Sequence, residues 1–314
     1  MKRYGIPYMG SKEKILHLIQ YIFDREHNKE YFIDPFCGGF CVSSYALENT
    51  KFKVLANDLN KNVIDLYKEI LFNGSKKISK VWFNWISREE FKDVKDNPEK
   101  YPSWYIGYVL TIWSFGNSQF DYLFGKDIED IKRNAHEYLM ENGYKENQAL
   151  RISLIKKFKE KVKKEGRFEL QQLQQLQQLQ QLLQLEQLER LEQLQQLQRL
   201  EQLQHLDWYD FIQSIPKEIL EKSFIYCDPP YHNTKKYQVN SIDYDKFWKW
   251  FVDCPYPVYV SSYSAPEGIK TIRHENKKSL LSSNNGKRNV MVENCYFNGK
   301  GTQDKTMFDM LYNF

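Results

Sequence analysis

The residues whose types suggest chemistry stand together in one short segment. It consists of Asp228, Pro229, Pro230 and Tyr231. Apolar and aromatic residues at 224–227 precede it and predict a short buried strand. Two consecutive prolines cannot continue a sheet ladder, so we expect the strand to end there. Because ligands of open α/β sheets bind at the carboxyl ends of strands, the segment predicts a carboxylate, a rigid turn and an aromatic ring at the mouth of a site.

These groups suit methyl transfer to an exocyclic amine. The amino nitrogen of adenine is a poor nucleophile because its lone pair is delocalised into the ring. The Asp228 carboxylate and the Pro229 carbonyl would accept the amine hydrogens and favour a localised lone pair, and a proline turn fixes such acceptors in advance. Tyr231 is suited to stack on a base flipped out of a duplex. The bare tetrapeptide is explained about equally well as an ordinary strand-to-loop turn.

Two more predicted strand ends indicate a nucleotide-like cofactor. Residues 31–39, YFIDPFCGG, predict a strand, a glycine turn and then a helix from about Val42. The spacing differs from GxGxxG, so the cofactor need not carry phosphate. About twenty residues later, residues 54–58 predict a second strand that ends in Asp58, an acid of the kind that binds ribose hydroxyls. Either segment alone is also explained as a structural turn.

The N-terminal loop contains a lysine ahead of a predicted helix. Residues 4–12 are punctuated by glycine and proline, and apolar spacing predicts a helix over 14–23 with Ser11 as its N-cap. Lys12 is a candidate for capturing an anion or carboxylate, although a surface lysine is the commoner explanation.

Composition sets broad limits. The chain has 314 residues, and 45 Lys and Arg against 41 Asp and Glu leave a net charge of +4, too small to indicate nucleic-acid binding by itself. The five cysteines lack metal-ligand spacing, which indicates a reducing compartment, and neither a signal peptide nor a membrane-spanning apolar run is found. We therefore expect a cytoplasmic protein without a metal site.

The middle of the chain divides into two segments of different composition. Residues 75–168 mix aromatic, polar and glycine residues, and the run from Arg151 to Arg167 holds eight Lys or Arg against two Glu. This run is a candidate phosphate-contacting face or, equally, a solvated helix face. From Leu170 to Leu206 leucine recurs at every third residue. On an α-helix such leucines drift by about 60° per triplet, yet Gln, Leu and Glu favour helix, so we expect a helix that serves as a spacer or a self-association surface.

Four stretches give the chain a specific resemblance. They are PYMGSK at 7–12, FIDPFCGGF at 32–40, VLANDLNKNVIDLYKEI at 54–70 and FIYCDPPY at 224–231, with a looser match in SFGNSQFDYLFGK at 114–126. In order and spacing they resemble the Dam-type (D12 class) DNA adenine-N6 methyltransferases. The last segment looks like part of that family's DNA-reading domain but is shortened, so a GATC-type target is not implied.

The resemblance implies S-adenosylmethionine as the cofactor and no metal. It implies a catalytic set of Asp228, Pro229, Pro230 and Tyr231. The implied cofactor-binding set is Tyr8, Lys12, Asp34, Phe36, Gly38, Asp58, Asp207 and Asp228. Within it, Asp58 matches the ribose-binding acid, and Asp207 matches more loosely an acid near the cofactor's adenine.

The fold class expected is α/β, a Rossmann-like methyltransferase sheet with a mainly helical target-recognition insert and a Leu-triplet segment. The expected domains are a cofactor half at 1–74, target recognition at 75–168, the repeat at 169–206 and a catalytic half at 207–314. The resemblance implies double-stranded DNA as substrate, with a flipped-out adenine as target. We also expect a bacterial or phage origin and no membrane contact. Candidate partners are a cognate restriction endonuclease and further copies of the chain, bound through the repeat.

Two other function classes stay open. The first is methyl transfer to another planar nitrogen, in RNA adenine or protein glutamine. The glutamine enzymes usually carry Asn-Pro-Pro-Tyr, so Asp228 argues against them. The second is a non-catalytic DNA-binding or assembly protein, against which the intact motifs argue.

Overall fold

The computed structural model describes residues 4–73, 77–144, 151–165, 199–230, 242–269, 271–282 and 288–301. The chain divides into two compact units. The first, which we call the sheet unit, comprises Met1–Gly5, Ser11–Ile64 and Gln196–Phe314. The second, the helical unit, comprises Ile6–Gly10 and Asp65–Gln195. Among the described residues, no helix is long and apolar enough to cross a membrane.

The sheet unit is built on a sheet of seven strands among the described residues. They are β1 (Tyr31–Asp34), β2 (Lys53–Asn57), β3 (Leu200–Gln204), β4 (Ser223–Cys227), β5 (Val258–Ser262), β6 (Thr271–Ser282) and β7 (Arg288–Phe297). Their order is β3-β2-β1-β4-β5-β7-β6. The first five are mutually parallel, whereas β7 runs antiparallel to β5 and to β6. This mixed α/β sheet is consistent with a methyltransferase fold.

Helices accompany the sheet. Those of the sheet unit are α1 (Leu16–Arg25), α2 (Cys41–Asn49), α8 (Trp208–Ser214), α9 (Lys217–Leu220) and α10 (Tyr244–Asp253), and α3 (Lys61–Leu71) begins in it. The predicted helix over 14–23 therefore begins at Leu16, after a 3₁₀ turn at Glu13–Ile15. Ser11 is not the N-cap of α1, because Ile15 holds that position; the Ser11 Oγ instead accepts a bond from Glu13 N at 3.4 Å, at the start of the 3₁₀ turn.

Apolar residues cover both faces of the parallel strands. Strands β4 and β5 are buried at every residue, as expected for strands covered on both sides. Neighbouring residues of β1 point to opposite faces. Phe32 packs with Phe23 and Phe224, while Ile33 belongs to a core with Phe211 and others. Each fully buried Phe stabilises the fold by roughly 1.5–3 kcal/mol.

The described part of the helical unit contains four further α-helices. They are α4 (Arg88–Asp96), α5 (Ser103–Ile112), α6 (Lys126–Glu141) and α7 (Arg151–Glu165), with 3₁₀ turns at Ile78–Lys80, Pro98–Lys100 and Phe115–Asn117. Ser87 caps α4 by accepting a bond from Glu90 N at 3.1 Å. Trp85 stacks on Phe124 and meets Trp113 edge-on, so the aromatic residues of this segment form a core of their own.

The end of the leucine repeat is a strand, so the expectation of helix is wrong for Leu200–Gln204. Strand β3 pairs in parallel with β2, and Leu203 is buried. The Arg199 guanidinium donates to the Leu47 and Thr50 carbonyls at the end of α2. Pairing to an existing strand outweighs the helix preference of Leu, Glu and Gln, which amounts to tenths of a kcal/mol per residue. Residues 166–198, with most of the repeat, lie outside the described residues.

All five cysteines are free and buried. They act as small apolar residues of the core rather than as a disulfide framework.

Candidate active site

Three acidic side chains stand at the ends of adjacent parallel strands. Strand β1 ends at Asp34, β2 is followed by Asp58, and β4 is followed by Asp228. Because β2, β1 and β4 are parallel neighbours, their carboxyl ends meet at one edge of the sheet. The structure thus brings together three of the residues that the sequence predicted for the site.

Asp58 ties the glycine loop to the end of β2. Its Oδ2 accepts a hydrogen bond from Gly38 N at 2.9 Å, and its Oδ1 accepts one from Asn60 N at 2.9 Å. Burial raises the pKa of Asp58, and these two bonds oppose the rise. The half-buried carboxylate is therefore held in place before any ligand binds.

The glycine loop itself is shaped by close backbone approach. Gly5 has φ +68°, and a Cβ added to it would lie 2.0 Å from the Gly39 carbonyl oxygen. Only glycine fits there, so the loop at 4–12 predicted from glycine and proline has a steric reason. Gly38 also has a positive φ, 43°, where its N–H points at Asp58.

Asp34 is the most deeply buried of the three acids, with 2% exposure. Its Oδ2 accepts a bond from Ser43 Oγ at 2.6 Å. Burial raises the pKa of Asp34 from its ordinary value of 3.8 to about 7, the Ser43 bond opposes this, and the charges of Asp228 and Asp58 raise it further. A cation placed beside this cluster of like charges would relieve their repulsion.

Lys12 does not lie on the surface. Only 2% of its side chain is exposed, and its Nζ lies 2.6 Å from Asp228 Oδ2 and 3.2 Å from Glu293 Oε1. Burial alone would lower the pKa of Lys12, but the two carboxylates outweigh it and raise the pKa above its ordinary value. Lys12 is therefore a charged group that orients Asp228. The sequence predicted capture of an anion or carboxylate by Lys12, and the resemblance implied a cofactor contact, but Asp228 was not predicted as its partner and Glu293 was given no part.

Asn57 is a second residue that sequence reasoning missed. Its fully buried amide donates to the Pro35 carbonyl at 3.1 Å and to the Leu206 carbonyl at 3.0 Å, and it accepts from Leu206 N at 2.8 Å. It holds three chain segments together behind the site. The available signal was a polar residue at the end of a buried strand, next to a predicted ribose-binding acid.

The other predicted residues have these positions. Phe36 stacks on Trp208 with ring centroids 6.3 Å apart, and Asp207 caps α8 by accepting from Tyr209 N at 2.9 Å. Pro229 and Pro230 follow Asp228 just after the end of β4, so the strand ends before them, as expected. Tyr231 lies outside the described residues, and Tyr8 falls in the helical unit. Among the described residues, no cluster of three or more His, Cys, Asp or Glu could hold a metal ion.

A mixed α/β sheet with carboxylates at the ends of three parallel strands fits the class of enzymes that use a nucleoside-like, cationic cofactor. The comparison with known families is more specific. A family model for D12 class N6 adenine-specific DNA methyltransferases matches residues 8–312. The chain belongs to this family, so it is an enzyme that methylates the N6 position of adenine in DNA. The resemblance seen in the four sequence stretches is confirmed.

Proposed function

We propose that the methyl donor is S-adenosylmethionine and that it binds at the carboxyl ends of β1, β2 and β4. The observation that carries the proposal is the convergence of Asp34, Asp58 and Asp228 at this edge. The donor supplies an activated methyl group on a positively charged sulfur and carries ribose hydroxyls. Buried acids suit both features, since Asp58 can accept from hydroxyls and the Asp34 and Asp228 carboxylates favour a cation.

Other predicted residues complete this proposed donor site. Phe36, held against Trp208, offers an apolar wall, and Gly38 lets the backbone approach the ligand closely. Asp207, at the start of α8, is proposed to lie near the adenine of the donor. The contact of Tyr8 with the donor stays a prediction.

Asp228 is proposed as the catalytic acceptor for the target amine. The Lys12 salt bridge fixes its carboxylate, and the carbonyl of the following Pro229 is proposed as the second acceptor. Two fixed acceptors favour the pyramidal amine that attacks a methyl group, and prior alignment is the main source of such rate gains. Tyr231 is proposed to stack on the flipped-out adenine.

The helical unit is proposed to recognise the DNA target. In α7, Leu154 and Phe158 are buried, and Phe158 packs on Tyr138 of α6. Lys156 and Lys157 on the same helix are exposed. An amphipathic helix that presents cations to solvent suits contact with phosphates.

A turn in the same unit is proposed to touch the bases. Phe115 is 68% exposed, although large aromatic residues are usually covered. The adjacent Gly116 and Asn117 have φ of 62° and 55°, and the Asn117 amide holds the turn by donating to the Thr111 carbonyl at 3.0 Å. A rigid turn that displays an aromatic ring suits stacking on nucleic-acid bases.

The test is methyl transfer to competing substrates. The purified protein is incubated with S-adenosylmethionine labelled in its methyl group and with duplex DNA, RNA or protein. We expect label in N6-methyladenine from DNA alone. Label in RNA or in glutamine would favour the alternative of another planar nitrogen, and none in any substrate would favour an assembly role. A cognate endonuclease, self-association, cytoplasmic location and bacterial or phage origin stay predictions.

A further inference from the structure

Glu293 is a buried carboxylate that neither the motifs nor the proposed donor site uses. It lies on β7, where its side chain is 1% exposed, and its Oε1 is 3.2 Å from Lys12 Nζ. The same Nζ is 2.6 Å from Asp228 Oδ2. Strand β7 runs antiparallel to β5 with Ser262 opposite Asn294, which brings Glu293 to the end of β5 nearest the site.

A carboxylate in this position needs a reason beyond fold stability. Removing a charge from water costs several kcal/mol, and a single ion pair often fails to offset it. Here two buried or half-buried carboxylates share one ammonium, so the trio carries a net negative charge. Apolar packing would stabilise β7 at least as well. The arrangement instead gives the long Lys12 side chain two anchors, which fix where its ammonium sits.

We propose that Glu293 is a positioning residue for methyl transfer, and the inference rests on the proposed role of Asp228. Glu293 holds the Lys12 ammonium at a second point, 3.2 Å from its Oε1, in addition to the contact with Asp228. The Lys12 ammonium then stays in one place and does not move with the Asp228 side chain. The Asp228 carboxylate therefore keeps the position and the negative charge with which it accepts hydrogen bonds from the target amine.

The test replaces Glu293 by its isosteric neutral counterpart. Glu293→Gln keeps the shape and one acceptor but removes one of the two negative charges that hold the Lys12 ammonium. Misplacing a reacting group by about 1 Å lowers rates by roughly 100-fold. Because Glu293 acts through Lys12 and does not touch the substrate, we expect a smaller effect. The rate of methyl transfer at saturating donor and DNA should fall by about tenfold or more. The dissociation constant for S-adenosylmethionine should change by less than about threefold.

Glu26 provides a matched control. It is also 1% exposed and in the sheet unit, but its Oε1 accepts from Tyr259 Oη at 2.6 Å. Glu26→Gln should leave methyl transfer unchanged. Thermal unfolding of both variants shows whether either has lost its fold. If Glu293→Gln does not fold, Glu293→Asp takes its place, since it keeps the charge but moves it back by one methylene, and we expect a smaller loss of rate.

A double-mutant cycle separates positioning from fold support. If Glu293 acts through Lys12, Glu293→Gln should cause no further loss of rate in a Lys12→Met background. Additive losses, or a loss of donor affinity as large as the loss of rate, would overturn the inference. Absence of DNA methylation by the wild type would instead overturn the proposed function, so the two failures are distinguishable.

Discussion

The Asp58 carboxylate allows a quantitative test of the proposed donor site. Its two oxygens accept backbone bonds from Gly38 and Asn60, each at 2.9 Å. In Asp58→Ala both bonds are lost, together with the proposed bonds to ribose. In Asp58→Asn one oxygen is kept, but the amide NH₂ then faces a backbone N–H. The alanine variant should therefore show the larger effect.

The expected magnitude follows from the charge on the acceptor. A hydrogen bond to a charged group contributes roughly 1.5–3 kcal/mol. Loss of one such bond to ribose corresponds to about 10- to 150-fold weaker donor binding. Loss of the bonds from Gly38 and Asn60 is a separate effect. It lowers the free energy of unfolding and loosens the glycine loop.

Isothermal titration calorimetry with S-adenosylmethionine measures the first effect, and thermal denaturation measures the second. Asp243 serves as control, because its carboxylate also accepts a backbone bond, from Lys246 N at 3.0 Å, at the start of α10. Asp243→Ala should lower the melting temperature, because it removes this helix cap, without changing donor affinity. If Asp58→Ala bound the donor as tightly as the wild type, the role of Asp58 would be limited to its hydrogen bonds with Gly38 and Asn60.

Three further predictions concern pH, salt and the repeat. The Asp34 carboxyl, with its pKa raised from 3.8 to about 7, contributes stability that is complete below pH 3.8 and is lost as the pH rises to about 7. The free energy of unfolding of Asp34→Asn should therefore rise relative to that of the wild type between pH 4 and 8, by up to ~4 kcal/mol. A difference between the two that does not change with pH would refute this. Neutralising Lys156 and Lys157 should flatten the log–log salt dependence of DNA binding by roughly 0.9 per lost contact, whereas the exposed Lys217 of the sheet unit serves as the control that leaves it unchanged. Deleting the two triplets at 173–178 should leave methylation of a short duplex intact, and loss of donor binding in this deletion would place those triplets in the core. Arg199→Ala, by contrast, should lower the melting temperature by detaching β3 from α2.

Local pattern was enough to predict the strands that carry the motifs. The apolar runs before Asp34, Asp58 and Asp228 predict β1, β2 and β4, which the structure contains. Each strand ends where proline, glycine or an acid interrupts the run. The grouping of the acids could then be expected, because parallel neighbours share one carboxyl edge.

What escaped prediction depends on contacts between distant segments. Strand β3 has a period-3 sequence without strand alternation, and it forms because β2 offers a partner edge. The Lys12, Asp228 and Glu293 cluster joins a loop and two strands that are far apart in the chain. Asn57 likewise bonds to Leu206 across the sheet. Asn57 had one local signal, its place at the end of a buried strand, whereas no local pattern distinguishes Lys12 or Glu293 from surface residues.

The most direct measurement is the nucleoside composition of DNA treated with the protein. Duplex DNA is incubated with S-adenosylmethionine and either the wild type or Asp228→Ala, and N6-methyladenine is quantified by mass spectrometry. The wild type should produce N6-methyladenine. The variant should remain folded by thermal denaturation and lose a factor of ~10²–10³ in rate, because one of two preorganised acceptors is gone. Turnover near that of the wild type in Asp228→Ala, or methylation at a position other than adenine N6, would contradict the account.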